Sequence, residues 1–276
     1  MEFSEVVRKR RMFRRYDPDR PVPAGVIDTA LGNAIRAPSA GFSQGWDFLV
    51  LTKPEERQAY WSATTDPDDE PDSWLAGITT APALILCLSD EDRYLRRYAE
   101  PDKGWTDLDE ARWPVPYWDI DTGMAALLIL LTAVDEGLGA CFFGAPPESH
   151  EDVFEAFDIP HDRNLIGVVS LGYPLPDTRS GSLRRGRRGL DQVAHHGRFG
   201  VHWASRAGFQ HVHRAGLRAG QGLIEGHGAY DAGIAVGGEG IADQRPRGDA
   251  DERGRINTGG AEPGHLVREH LGDGRA

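Results

Sequence analysis

The spacing of apolar and polar positions divides the chain into blocks. Phe3 to Arg11 has the spacing of a short helix, with Ser4 as candidate N-cap. Pro23 opens a second helix in which Ile27, Leu31, Ala34 and Ile35 share one face, and Ala37-Pro38-Ser39-Ala40-Gly41 breaks it. Asp47 to Thr52 (DFLVLT) reads as a short strand, and Thr65 to Asp72 as an acidic, proline-containing loop. Ala83 to Ser89 (ALILCLS) reads as a strand too apolar to be half exposed. The clearest helix runs from Asp121 to Glu136. Met124, Leu127, Leu128, Leu131 and Val134 recur at helical spacing, Ala125, Ala126, Ile129 and Leu130 fill other faces, Asp121 is a candidate cap, and Gly137 a candidate terminator. A helix this apolar all round is expected at the centre of the fold or against a partner subunit. Ala140 to Phe143 and Leu165 to Leu171 give two more strands. Helices and strands mix without βαβ alternation, so the expected class is α+β.

The pattern ends near residue 204. From Ser205 to Ala276 the chain holds 17 of its 34 glycines but only Phe209 and Tyr230 as aromatics. With so few large apolar groups this tail cannot offset its ordering entropy, and it is expected to be disordered. Its composition also matches a shifted or read-through frame of a GC-rich gene. The expected organisation is therefore a domain over 1–204 followed by a Gly/Arg-rich tail over 205–276.

Charge and composition narrow the chemistry. The formal net charge of -12 disfavours nucleic-acid and anionic-membrane partners and leaves small ligands open. Cys87 and Cys141 both lie in apolar runs, as small buried thiols do, and no metal-ligand spacing accompanies them. The N-terminal residues are charged rather than apolar, and the longest apolar run, Met124 to Val134, falls short of a membrane span. A cytoplasmic protein is expected.

Four segments could carry chemistry. Arg8-Lys9-Arg10-Arg11-Met12-Phe13-Arg14-Arg15 places six basic residues in eight, which suits either a solvated helix end or a bidentate grip on an anion. Ala37 to Trp46 (APSAGFSQGW) combines small residues, which let backbone approach a ligand, with the neutral hydrogen-bonding groups of Ser39, Ser43 and Gln44. Gly137 to Gly144 (GLGACFFG) is a glycine-flanked strand after the apolar helix, and it lacks both the dinucleotide fingerprint and a phosphate loop. Arg184-Arg185-Gly186-Arg187-Arg188 reads by itself as a solvated basic turn, and taken with the first run as a second arginine cluster that suggests convergence on an anion such as a cofactor phosphate. His195-His196 reads as a surface or packing pair, since adjacent strand positions point to opposite faces. No nucleophile motif is present.

Taken in order, RRMFRRY, APSAGFSQGW, EGLGACFFG and LIGVVSLGYP followed by RRGRRGLDQVAHHGRFG resemble the FMN-dependent nitroreductase family over residues 1 to about 203. The resemblance implies a nitroreductase-like fold, a central, mostly antiparallel sheet flanked by helices, in a homodimer with FMN at the subunit interface. It places Arg10, Arg11 and Arg14 at the flavin phosphate, ribityl chain and pyrimidine edge, with main-chain contacts from Met12. Pro38, Ser39 and Ala40 would face the FMN held mainly by the other subunit, Ser39 and Gln44 would orient flavin or substrate, and Ser43 would join them as a cofactor-binding residue. Phe142, Phe143 and Gly144 would lie along the isoalloxazine, and Arg185 and Arg187 would close on the phosphate. Met12 stands where the family commonly has Ser. The implied activity is hydride transfer from NADH or NADPH through the flavin to a small organic acceptor: a nitroaromatic, a quinone or an activated alkene. No residue is assigned as acid, base or metal ligand. The alternatives are other flavin chemistry on the same fold (dehalogenation or flavin breakdown) and a non-catalytic flavin-binding protein.

Overall fold

The computed structural model describes residues 1–66, 68, 70–176 and 181–202; the tail 205–276, with its expected disorder, lies outside them. Two units are separated at residue 189.

The first unit is built on a four-stranded sheet: β1 (Trp46–Leu51), β2 (Ala83–Asp90), β3 (Gly139–Phe143) and β4 (Arg163–Gly172). Their order is β1-β2-β4-β3, every neighbouring pair antiparallel. The expected α+β class and antiparallel sheet are both present. All eight residues of β2 are buried because the sheet is covered on both faces. Ile85 and Cys87 pack with α2 (Ala24–Ala34) and α6 (Tyr117–Asp135), whereas Leu84, Leu86 and Leu88 pack with α3 (Pro54–Thr64) and α7 (His150–Ala156). The remaining helices are α1 (Phe3–Lys9), α4 (Ser73–Ile78) and α5 (Glu91–Ala99). Both cysteines are buried, as expected, and burial pushes the Cys87 thiol up to about 12.

Three expectations need correction. Glu2 rather than Ser4 occupies the cap position of α1. In α2, Ile27 and Ala34 are buried but Ile35, just past the last turn, is 55% exposed. The helix α6 begins one turn earlier than expected, so Asp121 lies inside it, 2% exposed, instead of capping it. Around α6 burial is uneven: Ala125, Ala126, Ile129, Leu130 and Ala133 are buried, Met124 and Leu128 pack at the edge of the core, and Leu127 is 46% exposed. Alanines bring the helix axis close to α2 and the sheet, and close approach decides which face turns inward. Gly137, with φ 74°, ends the helix as expected. At 19 residues α6 has the length and composition to cross a bilayer, yet its alanine face is packed in the core.

In the second unit, Leu190–Val193 forms a single helical turn, and the His195 ring lies 4.2 Å from that of Phe199.

Candidate functional site

After α1 the chain runs along the outer edge of β3. The Phe13 amide donates to the Ala140 carbonyl at 2.9 Å, Met12 pairs with Ala140 in a parallel bridge, and the Phe142 amide donates to Met12 Sδ at 3.5 Å. A thioether is a weak acceptor, so Met12 keeps only a soft version of the hydrogen bond a hydroxyl would offer. Tyr16, fully buried, fixes the far end: its hydroxyl donates to the Phe13 carbonyl at 2.6 Å and lies 2.8 Å from Ser170 Oγ. Gly77 of α4 fits beneath the Arg14 carbonyl, where a Cβ would stand 2.5 Å from the oxygen. Arg10, Met12 and Arg14 are half-buried, and Arg11 is exposed with its guanidinium 5.0 Å from the Phe13 ring. Arg10 Nη1 is buried and has no hydrogen-bond partner among the described residues.

The arginine run and the FFG strand, distant in sequence, are thus laid side by side. Within β3 the two phenylalanines diverge, as neighbouring strand residues must. Phe142 packs with α2 and α6, and Phe143 with α3 and α7. Phe143 stacks on Trp61 (centroids 5.9 Å apart, planes at 11°) and meets the edge of Trp74 at 5.5 Å. These rings, with Gly144, line a cavity of about 920 Å³ between α3, α4, β3 and the start of α7. Trp61 and Trp74 were not singled out in the sequence, since an aromatic pair on a short helix and a lone tryptophan look like core.

The segment 38–44 has its own support. Residues Ala40–Phe42 form a 3-10 turn, with φ 61° at Gly41, 58° at Phe42 and 53° at Gln44. Left-handed values at two non-glycine residues are costly, and the surroundings compensate. Asp121 Oδ2 accepts from the Ala40 amide and from the Tyr94 hydroxyl, both at 2.8 Å. Ser39 Oγ accepts the Gln44 amide at 2.7 Å, Ser43 Oγ donates to the Ala40 carbonyl at 2.8 Å, and Arg97 Nε donates to the Gly41 carbonyl at 2.9 Å. Burial, first, and the bond to Asp121 raise the Tyr94 phenol above its ordinary value. Pro38 and Phe42 are exposed. Among the described residues, no hydrogen bond, ion pair or ring contact joins 38–44 to Arg10, Arg11 or Arg14 of the same chain. Arg185 and Arg187 are exposed, in and just after a 3-10 turn at Gly181–Arg185. One support, Tyr94, carried no motif and was missed in the sequence, and Asp121, an acidic residue at the head of an apolar helix, was read as a cap instead of a bracket.

Residues 7–173 match the Nitroreductase family. The chain is 30% identical over 185 residues to a protein of Methanothermobacter thermautotrophicus provisionally named NADH dehydrogenase/NAD(P)H nitroreductase, covering 65% of this chain and 82% of that one. It is 31% identical over 200 residues to the 4-nitrobenzoate reductase of a Nocardioides species, covering 62% and 80%. The fold superposes on that of a nitroreductase family protein from Clostridium difficile with a TM-score of 0.54 at 22% identity, over 72% of this chain and 99% of the other. With its sheet order, its arginine-bearing edge segment and this match in hand, the chain belongs to the Nitroreductase family.

Proposed function

We propose that the protein is an FMN-dependent oxidoreductase that passes reducing equivalents from NADH or NADPH to a small organic acceptor, of the nitroaromatic, quinone or activated-alkene kind. Family membership supports the oxidoreductase class, and the names of the two relatives support a nicotinamide donor and a nitroaromatic acceptor.

The observation that carries the reading is Arg10 Nη1, buried and without a partner among the described residues, two residues before the chain joins β3. A buried guanidinium nitrogen without an acceptor bears a desolvation cost that an anionic ligand would offset. The residues present therefore fit FMN. Arg10, Arg11 and Arg14 would hold its phosphate, ribityl chain and pyrimidine edge, Met12 would add main-chain contacts, and Arg185 and Arg187 would close on the phosphate. Phe143 and Gly144 would bound the ring system at the cavity, with Phe142 supporting β3 from the opposite face. Bound FMN supplies hydride chemistry that none of these side chains possesses. The protein's part is to orient donor and acceptor and to place the Arg14 cation where negative charge accumulates.

A second copy of the chain would complete the site, with Pro38, Ser39, Ala40, Ser43 and Gln44 of each subunit facing the group held by the other. Exposed apolar residues on two helices in contact, Phe3 and Val7 of α1 with Ile120 and Leu127 of α6, support this homodimer.

The test is an absorption spectrum of the purified protein, with release and identification of the chromophore. Flavin bands and released FMN are expected. A colourless protein that FMN cannot reconstitute would overturn the reading.

A further inference from the structure

The cavity beside Phe143 combines two features that select a ligand. Its walls are aromatic: Trp61 and Phe143 lie nearly parallel, and Trp74 meets Phe143 edge-on. Its charged lining is of one sign, with Asp66, Glu70, Asp72, Glu148 and Asp152 present beside neutral hydroxyls and no Lys, Arg or His among the described lining residues. Of these carboxylates, Asp72 is committed to capping α4 through the Leu75 amide at 2.7 Å. Glu148, in the turn before α7, and Asp152, in its first turn, are exposed and form no ion pair among the described residues. Trp61 is 8% exposed, and its indole N–H is buried with no acceptor among the described residues. The space suits one small planar molecule, since small-ligand sites commonly measure about 300–1,000 Å³.

We infer that this cavity is the seat of the electron acceptor and that it selects planar aromatic acceptors carrying positive charge over anionic ones. The inference rests on the proposed function for the cavity's role and goes beyond it in naming the acceptor's charge. Aromatic faces attract both a π-system and a cation, and a carboxylate rim attracts a cation and repels an anion. Phe143 and Gly144 belong both to this cavity and to the strand assigned to the flavin ring, which sets an acceptor seated here beside the source of electrons. For a nitroaromatic, two electrons and two protons convert the nitro group to a nitroso group and release water. NAD(P)H supplies both electrons and one proton as hydride, and solvent supplies the second proton.

The experiment compares three nitroaromatics on the flavin-loaded protein: (4-nitrobenzyl)trimethylammonium, 4-nitrobenzyl alcohol and 4-nitrobenzoate. Binding is measured by calorimetry and turnover by NADH oxidation, each at low and high salt. The cation should bind and react at least about tenfold better than the anion at low salt, with the ratio shrinking as salt screens the rim. The double variant Glu148→Gln, Asp152→Asn should lower that ratio severalfold, while flavin content by absorbance reports its folding. Equal binding of cation and anion would overturn the inference while leaving the proposed function intact. A preference that salt and the double variant leave unmoved would overturn the assignment to this cavity. Charge-selective binding without NADH oxidation would support the cavity's selectivity and count against the proposed function.

Discussion

Asp121 and Tyr94, both buried, are joined by a 2.8 Å hydrogen bond, and the same carboxylate oxygen holds the Ala40 amide at 2.8 Å. One oxygen therefore ties α5, α6 and the 38–44 turn together. Asp121→Ala leaves a phenol and an amide without their acceptor, and a loss of about 2–4 kcal/mol in denaturant unfolding is expected. Asp121→Asn, which can still accept, should lose less. If the two variants proved equally stable, the carboxylate would not be the anchor.

Tyr94 also sets the response to alkali. Burial raises the phenols of Tyr60 and Tyr94 above their ordinary value of 10.0, the hydrogen bond to Asp121 adding to the effect at Tyr94. The unfolded chain releases these protons first. The stabilisation is thus complete below about pH 10 and declines as pH rises beyond it. Unfolding midpoints between pH 8 and 11 should show a steepening loss, and Tyr94→Phe should flatten it.

The acidic side offers the same sign at a lower pH. Burial, then a hydrogen bond and repulsion from Glu110, with Asp119 adding to it, push Glu91 up to about 6. Between its ordinary value of 4.5 and about 6, the folded protein holds a proton that the unfolded chain has released. Stability contributed by Glu91 is lost over that window as pH rises. Glu91→Gln should therefore raise the melting temperature at pH 7 and change it little at pH 4, as read by thermal scans at both.

Arg10 separates binding from stability. Because Nη1 has no partner among the described residues, Arg10→Met should leave stability unchanged or slightly higher. Under the proposed function it should also weaken flavin retention by about 1.5–3 kcal/mol, roughly ten- to a hundredfold. Fluorescence titration with FMN checks the second part and denaturant unfolding the first. A strongly destabilised variant would mean the guanidinium is structural.

Gly77 tests the floor under the arginine segment. A Cβ there would sit 2.5 Å from the Arg14 carbonyl, a backbone atom that cannot rotate aside. Gly77→Ala should cost about 1–3 kcal/mol and displace the 10–16 segment, visible as faster amide exchange at Phe13.

The α+β class was legible because helices and strands mix without βαβ alternation and α6 is an unmistakable apolar block, while the antiparallel sheet was implied by the family resemblance. The facing of α6 was not legible, because periodicity ranks leucine above alanine, whereas the packing places alanines where two helices and a sheet meet most closely. The four motif segments were all visible as composition. Their assembly was not: the bond from Phe13 to Ala140 is a main-chain contact across 127 positions, with no side-chain signature. Asp121 was legible as unusual, but a cap and a buried bracket look alike until the partner Ala40 is known. The helices α3, α4 and α7 bring Trp61, Trp74 and the acidic residues together; α4 and α7 are too short for periodicity to stand out, and in α3 the aromatic pair Tyr60-Trp61 sits at adjacent positions in a polar segment.

The arginine segment has one more consequence, for solubility. The strand β3 is the last in the sheet, and its outward Ala140 carbonyl and Phe142 amide are both taken by residues 12 and 13. An uncovered terminal strand is a template for pairing with another chain. The stretch proposed to hold the cofactor is therefore also the guard on this edge of the sheet. A lesion that frees Met12 and Phe13 would turn loss of ligand into self-association, coupling an enzyme's inactivation to its precipitation.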